Sequence, residues 1–272
     1  MNKVIIPFDG GHFSKGAFSF ACHLNAKSAI LLTGIFLPEV DYAKIFFFPA
    51  AFAAPSYIPL PEDFNEELVT NSIELFTRLC NHHHIKHQAH KDLTLPPMAE
   101  LSNESRFADL MIIGSEVFYT NGSAGPFEYL QAALHKAECP VMIVPEHFHQ
   151  PSQVIVAYDG TASSVFAIKQ FAYLFPDYCK LNTTLVYLGD RKQPIPGAEL
   201  IGEWASAHFE NLVIRKVSRE EADSFDDWLE EHWNPILVSG AFNKSGLSQL
   251  FHKSFILRTI QQHKMLVFVA HQ

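Results

Sequence analysis

Two Asp-Gly pairs, each placed directly after an apolar run, are the residues best suited to ligand chemistry. The segment Val4 to Gly10 recurs as Val154 to Gly160, so that Asp9 and Asp159 occupy matching positions. Each pair follows a predicted strand and precedes a predicted helix. Such a carboxylate borders the crevice where doubly wound sheets bind ligands. It can instead cap its own turn and the following helix, and the sequence leaves both roles open.

Other polar residues lack the surroundings that catalysis or metal binding requires. No Gly-x-Ser-x-Gly turn surrounds the candidate serine nucleophiles, and the acidic residues of 226–231 are typical of a solvated helix face. The histidines of 82–90 lie where a predicted helix ends and a strand begins, so their side chains diverge. We therefore expect no catalytic residue and no metal site. The serines considered are Ser163, Ser164, Ser245 and Ser254.

Length and composition describe a globular chain. It has 272 residues, which suits two domains, and 48% of them are hydrophobic, enough to form a core. The net charge of −9 would repel a phosphate backbone, so nucleic acid is not an expected partner.

The sequence predicts neither a membrane span nor a secretory leader. The apolar stretch from Ile45 to Pro55 is interrupted by Pro49 and is shorter than the roughly 20 residues that cross a bilayer. Asp9 follows the start of the first apolar run too closely for a signal peptide. The four cysteines are widely spaced, which is typical of reduced core residues. We expect a cytoplasmic protein with no membrane partner.

The repeat continues to the end of each half. Residues 109–114 match 235–240, and 140–144 match 265–269. The strands are continuous apolar runs, as in parallel sheets covered by helices on both faces. The first half has predicted strands at 3–8, 29–36, 85–91, 109–113 and 140–144, and helices at 13–24, 65–82, 96–106 and 126–137. The second has strands at 153–158, 183–188, 211–217, 235–239 and 265–269, and helices at 163–175, 197–209, 220–233 and 253–263.

An insertion lengthens the first half. Residues 38–64 contain five prolines, which exclude a regular helix or central strand, around the apolar Phe46 to Phe48. The insertion is either a loop packed on its own domain or a lid or docking surface for a protein partner. The polar segment 145–151 separates two predicted domains, 1–146 and 152–272.

In this order and twice over, these features resemble tandem universal stress proteins, in which two α/β domains are fused in one chain. The resemblance covers essentially the whole chain. It rests on the two Asp-Gly pairs, on Gly114-Ser115 and Gly240 after the fourth strands, and on the last strand at 140–144. It implies two doubly wound domains, each a five-stranded, mostly parallel sheet with helices on both faces. Antiparallel pairing of the last strands would make a pseudo-twofold dimer within the chain, with further homodimerisation left open.

The resemblance also implies a nucleotide site. Family members that bind ATP carry a loop of Gly, two residues, Gly, nine residues, then Gly followed by Ser or Thr, whose amides close on phosphate oxygens. The second half keeps this register with two of the three glycines replaced, while its Asn tolerates positive φ and its lysines supply positive charge. The implied nucleotide-binding residues are Asp159, Gly160, Gly240, Asn243, Lys244, Gly246, Lys253 and Ser254.

The first half departs further from that pattern. Residues 114–126 do not keep the spacing, and Glu128 stands where the second half has Lys253. A carboxylate there would repel phosphate. We therefore expect the second cleft alone to bind ATP, ADP or AMP with Mg²⁺, in a stress-response role without robust catalysis, with slow hydrolysis left open. The alternative is a nucleotide-free scaffold that binds a protein partner through 38–64.

Overall fold

The computed structural model describes residues 1–9, 13–37, 66–91, 97–116, 130, 133–188, 193–218, 234–240 and 265–270. Contacts divide the chain into two units. Unit 1 comprises Met1–Cys139 and Glu146–Phe148, and unit 2 comprises Pro140–Pro145 and His149–Gln272. The last strand of the first sequence half therefore groups with the second unit. The domain bounds 1–146 and 152–272 follow the sequence repeat and stay a prediction, and the insertion 38–64 lies outside the described residues.

Unit 1 is a parallel α/β layer. Its strands are β1 (Lys3–Asp9), β2 (Leu31–Leu37), β3 (Lys86–His90) and β4 (Leu110–Gly114), and its helices are α1 (Lys15–Lys27), α2 (Glu66–His82) and α3 (Pro97–Ser105). The strand order is β3-β2-β1-β4. Because β1 pairs in parallel with both β2 and β4, the chain winds outwards from β1 in two directions.

Unit 2 repeats this pattern and adds an antiparallel pair. Its strands are β5 (Val141–Val144), β6 (Gln153–Tyr158), β7 (Asn182–Leu188), β8 (Asn211–Val217), β9 (Pro235–Gly240) and β10 (Leu266–Ala270), and its helices are α4 (Ala162–Leu174) and α5 (Ala198–His208). The order is β5-β10-β9-β6-β7-β8. Among its described strands, only β5 and β10 are antiparallel, with Met142 opposite Phe268. The expected antiparallel pairing of the two last strands is therefore present.

The sequence pattern located these elements well. Every described strand begins and ends within two residues of its prediction, because most strands are continuous apolar runs between turn residues. The chain is thus a mixed α/β protein with mostly parallel strands. Of the predicted helix 126–137, the described residues 130 and 133–136 are helical. The predicted helices 220–233 and 253–263 lie outside the described residues.

Aromatic packing fixes the strand ends of unit 1. The ring of Phe8 stacks on Phe36 at 5.0 Å between centroids, and Phe76 of α2 meets both rings edge-on at 5.7 Å. All three side chains are fully buried, and each contributes about 1.5–3 kcal/mol of hydrophobic stabilisation. In unit 2, Phe171 of α4 and Phe175, which directly follows the helix, pack on Phe268 of β10. These rings hold α2 against β1 and β2, and α4 against β10.

Among the described residues, no helix is long and apolar enough to cross a bilayer.

Candidate functional site

The carboxyl ends of β6 and β9 form the switch point of unit 2. Strand β6 pairs in parallel with β7 on one side and with β9 on the other, so the chain departs from β6 in both directions. Asp159 directly follows β6, and Gly240 is the last residue of β9. The structure thus places Asp159, Gly160 and Gly240 at one edge of the sheet. The other implied nucleotide contacts lie outside the described residues: Asn243, Lys244, Gly246, Lys253 and Ser254.

Gly240 lies against the first turn of α4. A Cβ added to Gly240 would sit 2.9 Å from the carbonyl carbon of Ser163 and 2.9 Å from the backbone nitrogen of Ser164. Both atoms belong to the main chain and cannot swing aside, so the approach requires glycine. The glycine of the loop pattern therefore has a packing reason at this position, and it brings β9 next to the N-terminus of α4.

Asp159 caps its own turn. Its Oδ1 accepts hydrogen bonds from the N–H of Thr161 at 2.9 Å and from the hydroxyl of Thr161 at 2.6 Å. Thr161 is the N-cap of α4, and its Oγ1 accepts from the N–H of Ser164 at 3.2 Å. The capping role that the sequence left open is therefore present. Within the described residues, the other carboxylate oxygen of this half-buried side chain accepts no hydrogen bond.

The turn after Asp159 is covered by the segment before α5. Gly160 has φ +82°, and a Cβ there would lie 2.7 Å from Cβ of Pro196. The hydroxyl of Tyr158 donates to the carbonyl oxygen of Pro196 at 2.7 Å. Burial raises the pKa of Tyr158, and the Asp159 carboxylate adds to the rise, so the phenol remains a donor. Pro196 and Gly197 therefore lie against the turn beside the switch point.

The sequence pattern does not predict this contact between the two segments. Its signal is the run Pro194-Ile195-Pro196-Gly197, a turn pattern whose glycine has φ +59° and precedes the first residue of α5. The sequence marks Ser163 only as a candidate nucleophile. Its hydroxyl oxygen is buried and has no hydrogen-bond partner among the described residues, and its backbone lies against Gly240. A hydroxyl in this position is able to donate to a ligand oxygen.

The corresponding edge of unit 1 carries carboxylates. At the start of α1, Glu146 accepts from the N–H of Lys15 at 3.2 Å and from the hydroxyl of Ser14 at 3.3 Å. Glu116, two residues after β4, accepts from the N–H of Glu146 at 3.0 Å and from the hydroxyl of Ser115 at 2.7 Å. Negative charge at a helix N-terminus satisfies the dipole and opposes a second anion.

Asp9 is the last residue of β1, as expected. Glu128 and the loop of residues 117–129 lie outside the described residues.

The histidines of 82–90 lie at the end of α2 and in the segment that follows it, where some of them pack against the core. His84, two residues after the end of α2, has φ +53°, and the N–H of Ile85 donates to the carbonyl of Cys80 at 2.8 Å, which closes the turn after the helix. The rings of His83 and His87 pack edge-on against phenylalanines of the core. Nowhere in the part of the chain that the structure describes do three His, Cys, Asp or Glu side chains converge as metal ligands.

Comparison with solved structures identifies the fold. A universal stress protein from Archaeoglobus fulgidus DSM 4304 aligns over 99% of this chain and 98% of its own, with 13% identity and a TM-score of 0.67. A putative universal stress protein from Pseudomonas aeruginosa UCBPP-PA14 aligns over 99% and 92%, with 11% identity and a TM-score of 0.51. A functionally unknown protein from Pseudomonas aeruginosa PAO1 aligns over 99% of this chain and 92% of its own, with 10% identity and a TM-score of 0.52.

At these identities the likeness establishes the fold alone. No family model and no curated protein matches the sequence. The chain has the fold of the universal stress proteins over nearly its whole length.

Proposed function

We propose that this chain is a universal stress protein-type stress-response protein that binds an adenine nucleotide in the crevice of its second half. The observation that carries the proposal is the arrangement at the switch point of unit 2. Asp159 and Gly240 border the first turn of α4, where backbone N–H groups and the positive end of the helix dipole favour an anion. The fold of the structural neighbours supports placing the chain in that family.

Two groups that no described residue bonds, the second carboxylate oxygen of Asp159 and the hydroxyl of Ser163, suggest how a nucleotide would be held. A carboxylate oxygen suits a ribose hydroxyl or the Mg²⁺ that accompanies nucleotide phosphates, because Mg²⁺ prefers hard oxygen ligands. The residues from Asn243 to Ser254 would supply the phosphate contacts, with Lys244 and Lys253 adding positive charge. The described part of the site offers binding groups and no activated nucleophile, and we propose a site without robust turnover, with ATP, ADP and AMP as candidate ligands.

The proposal assigns one nucleotide to each chain. In unit 1, Glu146 already holds the N-terminus of α1, and Glu116 lies next to it. An incoming phosphate would meet two carboxylates there, and Coulomb repulsion in a partly buried site is strong. Both helices have a hydroxyl N-cap, Ser14 and Thr161, and among the described residues no glutamate bonds to the first turn of α4.

Isothermal titration calorimetry tests the proposal, with a melting experiment in parallel. We expect ATP with Mg²⁺ to bind with micromolar affinity at best and to raise Tm, since a ligand of the folded state stabilises it by mass action. Asp159→Asn retains an acceptor for the Thr161 cap and removes only the charge, so it should weaken binding at least tenfold. Its matched control, Asp9→Asn, should leave the affinity unchanged.

A second pair of changes tests the loop. Ser254→Ala combined with Lys253→Glu should abolish binding, because it removes a hydroxyl and reverses a charge beside the phosphates. If the unmutated chain shows neither heat nor a Tm shift at millimolar ATP and Mg²⁺, the nucleotide-free scaffold replaces this proposal. The insertion 38–64 would then be the segment to test for a protein partner.

Two further features belong to the same proposal. The antiparallel register of β5 and β10 is locally twofold, which supports a pseudo-twofold dimer of the two sequence halves within one chain. The four cysteines are all free, and three of them are buried, as is usual for proteins of the reducing cytoplasm.

A further inference from the structure

The outer strands of the two units are protected to different degrees. In unit 1 the outer strand is β3, five residues long and polar, with Lys86 on an exposed edge. In unit 2 it is β8, seven residues long, with 61% of Val213 and 41% of Ile214 exposed. Within the described ranges, no strand lies beyond β8. Edge strands leave backbone N–H and C=O groups unpaired, and proteins usually blunt them with lysine, short length or a cover.

We propose that a second copy of this chain pairs with β8, edge to edge and antiparallel, forming a homodimer. A strand that pairs with its own copy across a twofold axis normal to the sheet keeps each side chain on its original face. Residues placed opposite one another must therefore be an even number of positions apart. This leaves three central registers, with Leu212, Val213 or Ile214 on the axis.

Charge selects the register centred on Val213. It places Glu210 opposite Lys216 of the second copy, twice by symmetry, and places Asn211 opposite Arg215. The Lys216 ammonium also donates to the carbonyl of Gln193 in its own chain, and an ammonium carries three donors. Centring on Leu212 puts Lys216 opposite His208, and centring on Ile214 puts it opposite Leu212, so neither provides a carboxylate. Opposite charges on facing strands are stabilising, whereas like charges are not. In-register parallel pairing of two copies would instead place each charged residue beside the same residue of the other copy, so that like charges would meet.

The start of β8 is held in place for such pairing. The N–H of Glu210 donates to the carbonyl of Cys179 at 3.0 Å, and the side chain of Asn211 donates to the carbonyl of Lys180 at 3.1 Å. Parallel pairing with β7 extends along the whole strand, from Asn182 opposite Asn211 to Leu188 opposite Val217. The edge is therefore preorganised, which lowers the entropy cost of association.

Helix α5 enlarges the same surface. A Cβ on Gly202 of α5 would lie 3.8 Å from Cδ1 of Ile214, so this helix packs on one face of β8. Joining two copies through β8 brings their α5 helices to the same face of the continuous sheet, one on each side of the axis.

Sedimentation velocity of the full chain, from low to about 100 μM, tests the dimer, because edge pairing of modest area gives micromolar affinity. We expect a concentration-dependent dimer. Val213→Lys, which blunts the edge, should weaken it at least tenfold, while the matched change Gln88→Lys on β3 should have no effect. A chain that stays monomeric, or a dimer that Val213→Lys leaves intact, overturns the proposal.

Charge exchange tests the pairing of Glu210 with Lys216. Glu210→Lys should weaken the dimer at least tenfold, and adding Lys216→Glu should restore it, which a merely structural role of either residue would not produce. Failure of the double variant to recover the dimer contradicts the assigned pairing.

Cross-linking tests the register. In a Cys22→Ser background, Val213→Cys should form an intermolecular disulfide on mild oxidation. In this register residue 213 of one copy lies directly opposite residue 213 of the other, and a disulfide can bridge the Cα atoms of such a pair. Ile214→Cys should not. The reverse result contradicts the register centred on Val213.

Discussion

The carboxylate of Glu146 accepts a hydrogen bond of 3.2 Å from the backbone N–H of Lys15, the first residue of α1. Lys15 and Glu146 are far apart in sequence, yet the contact decides the character of the switch point in unit 1. Helix α4 of unit 2 has the matching hydroxyl cap, Thr161 in place of Ser14, but among the described residues no glutamate bonds to its first turn. Two halves that repeat one pattern of strands and helices therefore present different electrostatic environments at the position where a phosphate would bind.

Removal of the Glu146 carboxylate should destabilise unit 1. Ser14 still caps α1 through its bond to the N–H of Ala17, at 3.2 Å, so we expect Glu146→Ala to lower the free energy of unfolding by about 0.5–1 kcal/mol. Urea denaturation followed by circular dichroism measures this. The control is Glu203→Ala on the exposed side of α5, which should change little. Equal losses in the two variants would mean that the contact with Lys15 contributes nothing.

A methyl group at Gly240 should be costly. The added Cβ would lie 2.9 Å from the backbone of Ser163 and Ser164, so β9 or α4 must shift, and overpacking of this kind costs about 1–3 kcal/mol. Gly202 supplies the matched control, because a Cβ there meets Ile214 at an ordinary 3.8 Å. Gly202→Ala lies inside a helix and should stabilise the protein by about 0.5–1 kcal/mol.

The two alanine variants are compared by thermal melting. Opposite shifts of Tm are expected, downward for Gly240→Ala and upward for Gly202→Ala. A Gly240→Ala protein as stable as the unmutated chain would show that the edge of the sheet has room for a side chain, and the packing reason for this glycine would be lost.

Asp109 should make the stability of unit 1 depend on pH, with a loss of stability at low pH. Burial opposes ionisation of this carboxyl, but hydrogen bonds from the N–H groups of Asn2, at 2.6 Å, and Lys3, at 3.0 Å, outweigh it and lower its pKa. A carboxyl group whose pKa is lower in the folded state stabilises that state at every pH above the pKa it has in the unfolded chain. This stabilisation is lost as the pH falls through the folded-state pKa. The side chain is exposed, so solvent screening keeps the contribution below about 1 kcal/mol.

Asp109→Asn measures that contribution. The variant should be less stable than the unmutated chain at pH 7, and the difference should shrink as the pH is lowered below the ordinary pKa of an aspartate, about 3.9. Urea titrations at several pH values provide the comparison. A difference that stays constant with pH would assign the effect to something other than the charge of Asp109.

The sequence by itself determined the order and type of the elements. The runs ending at Asp9 and Asp159 are apolar without interruption, and a run of this kind between turn residues is compatible with little except a buried strand. The same local signals predicted that the Asp-Gly pairs would lie at the carboxyl ends of β1 and β6, and that Asp159 could cap its turn, because a short polar side chain next to glycine bonds to its own backbone.

Only the tertiary structure decided which distant residues meet. Glu146 at the start of α1, Pro196 beside Tyr158 and Gly240 against Ser164 each join positions that are widely separated in sequence, and no periodicity records such a pairing. The grouping of β5 with β10 and the exposed outer edge of β8 likewise follow from the order of strands in the sheet. Local patterns encode backbone conformation and the side that is buried, whereas the neighbours across a sheet are selected by packing of the whole chain.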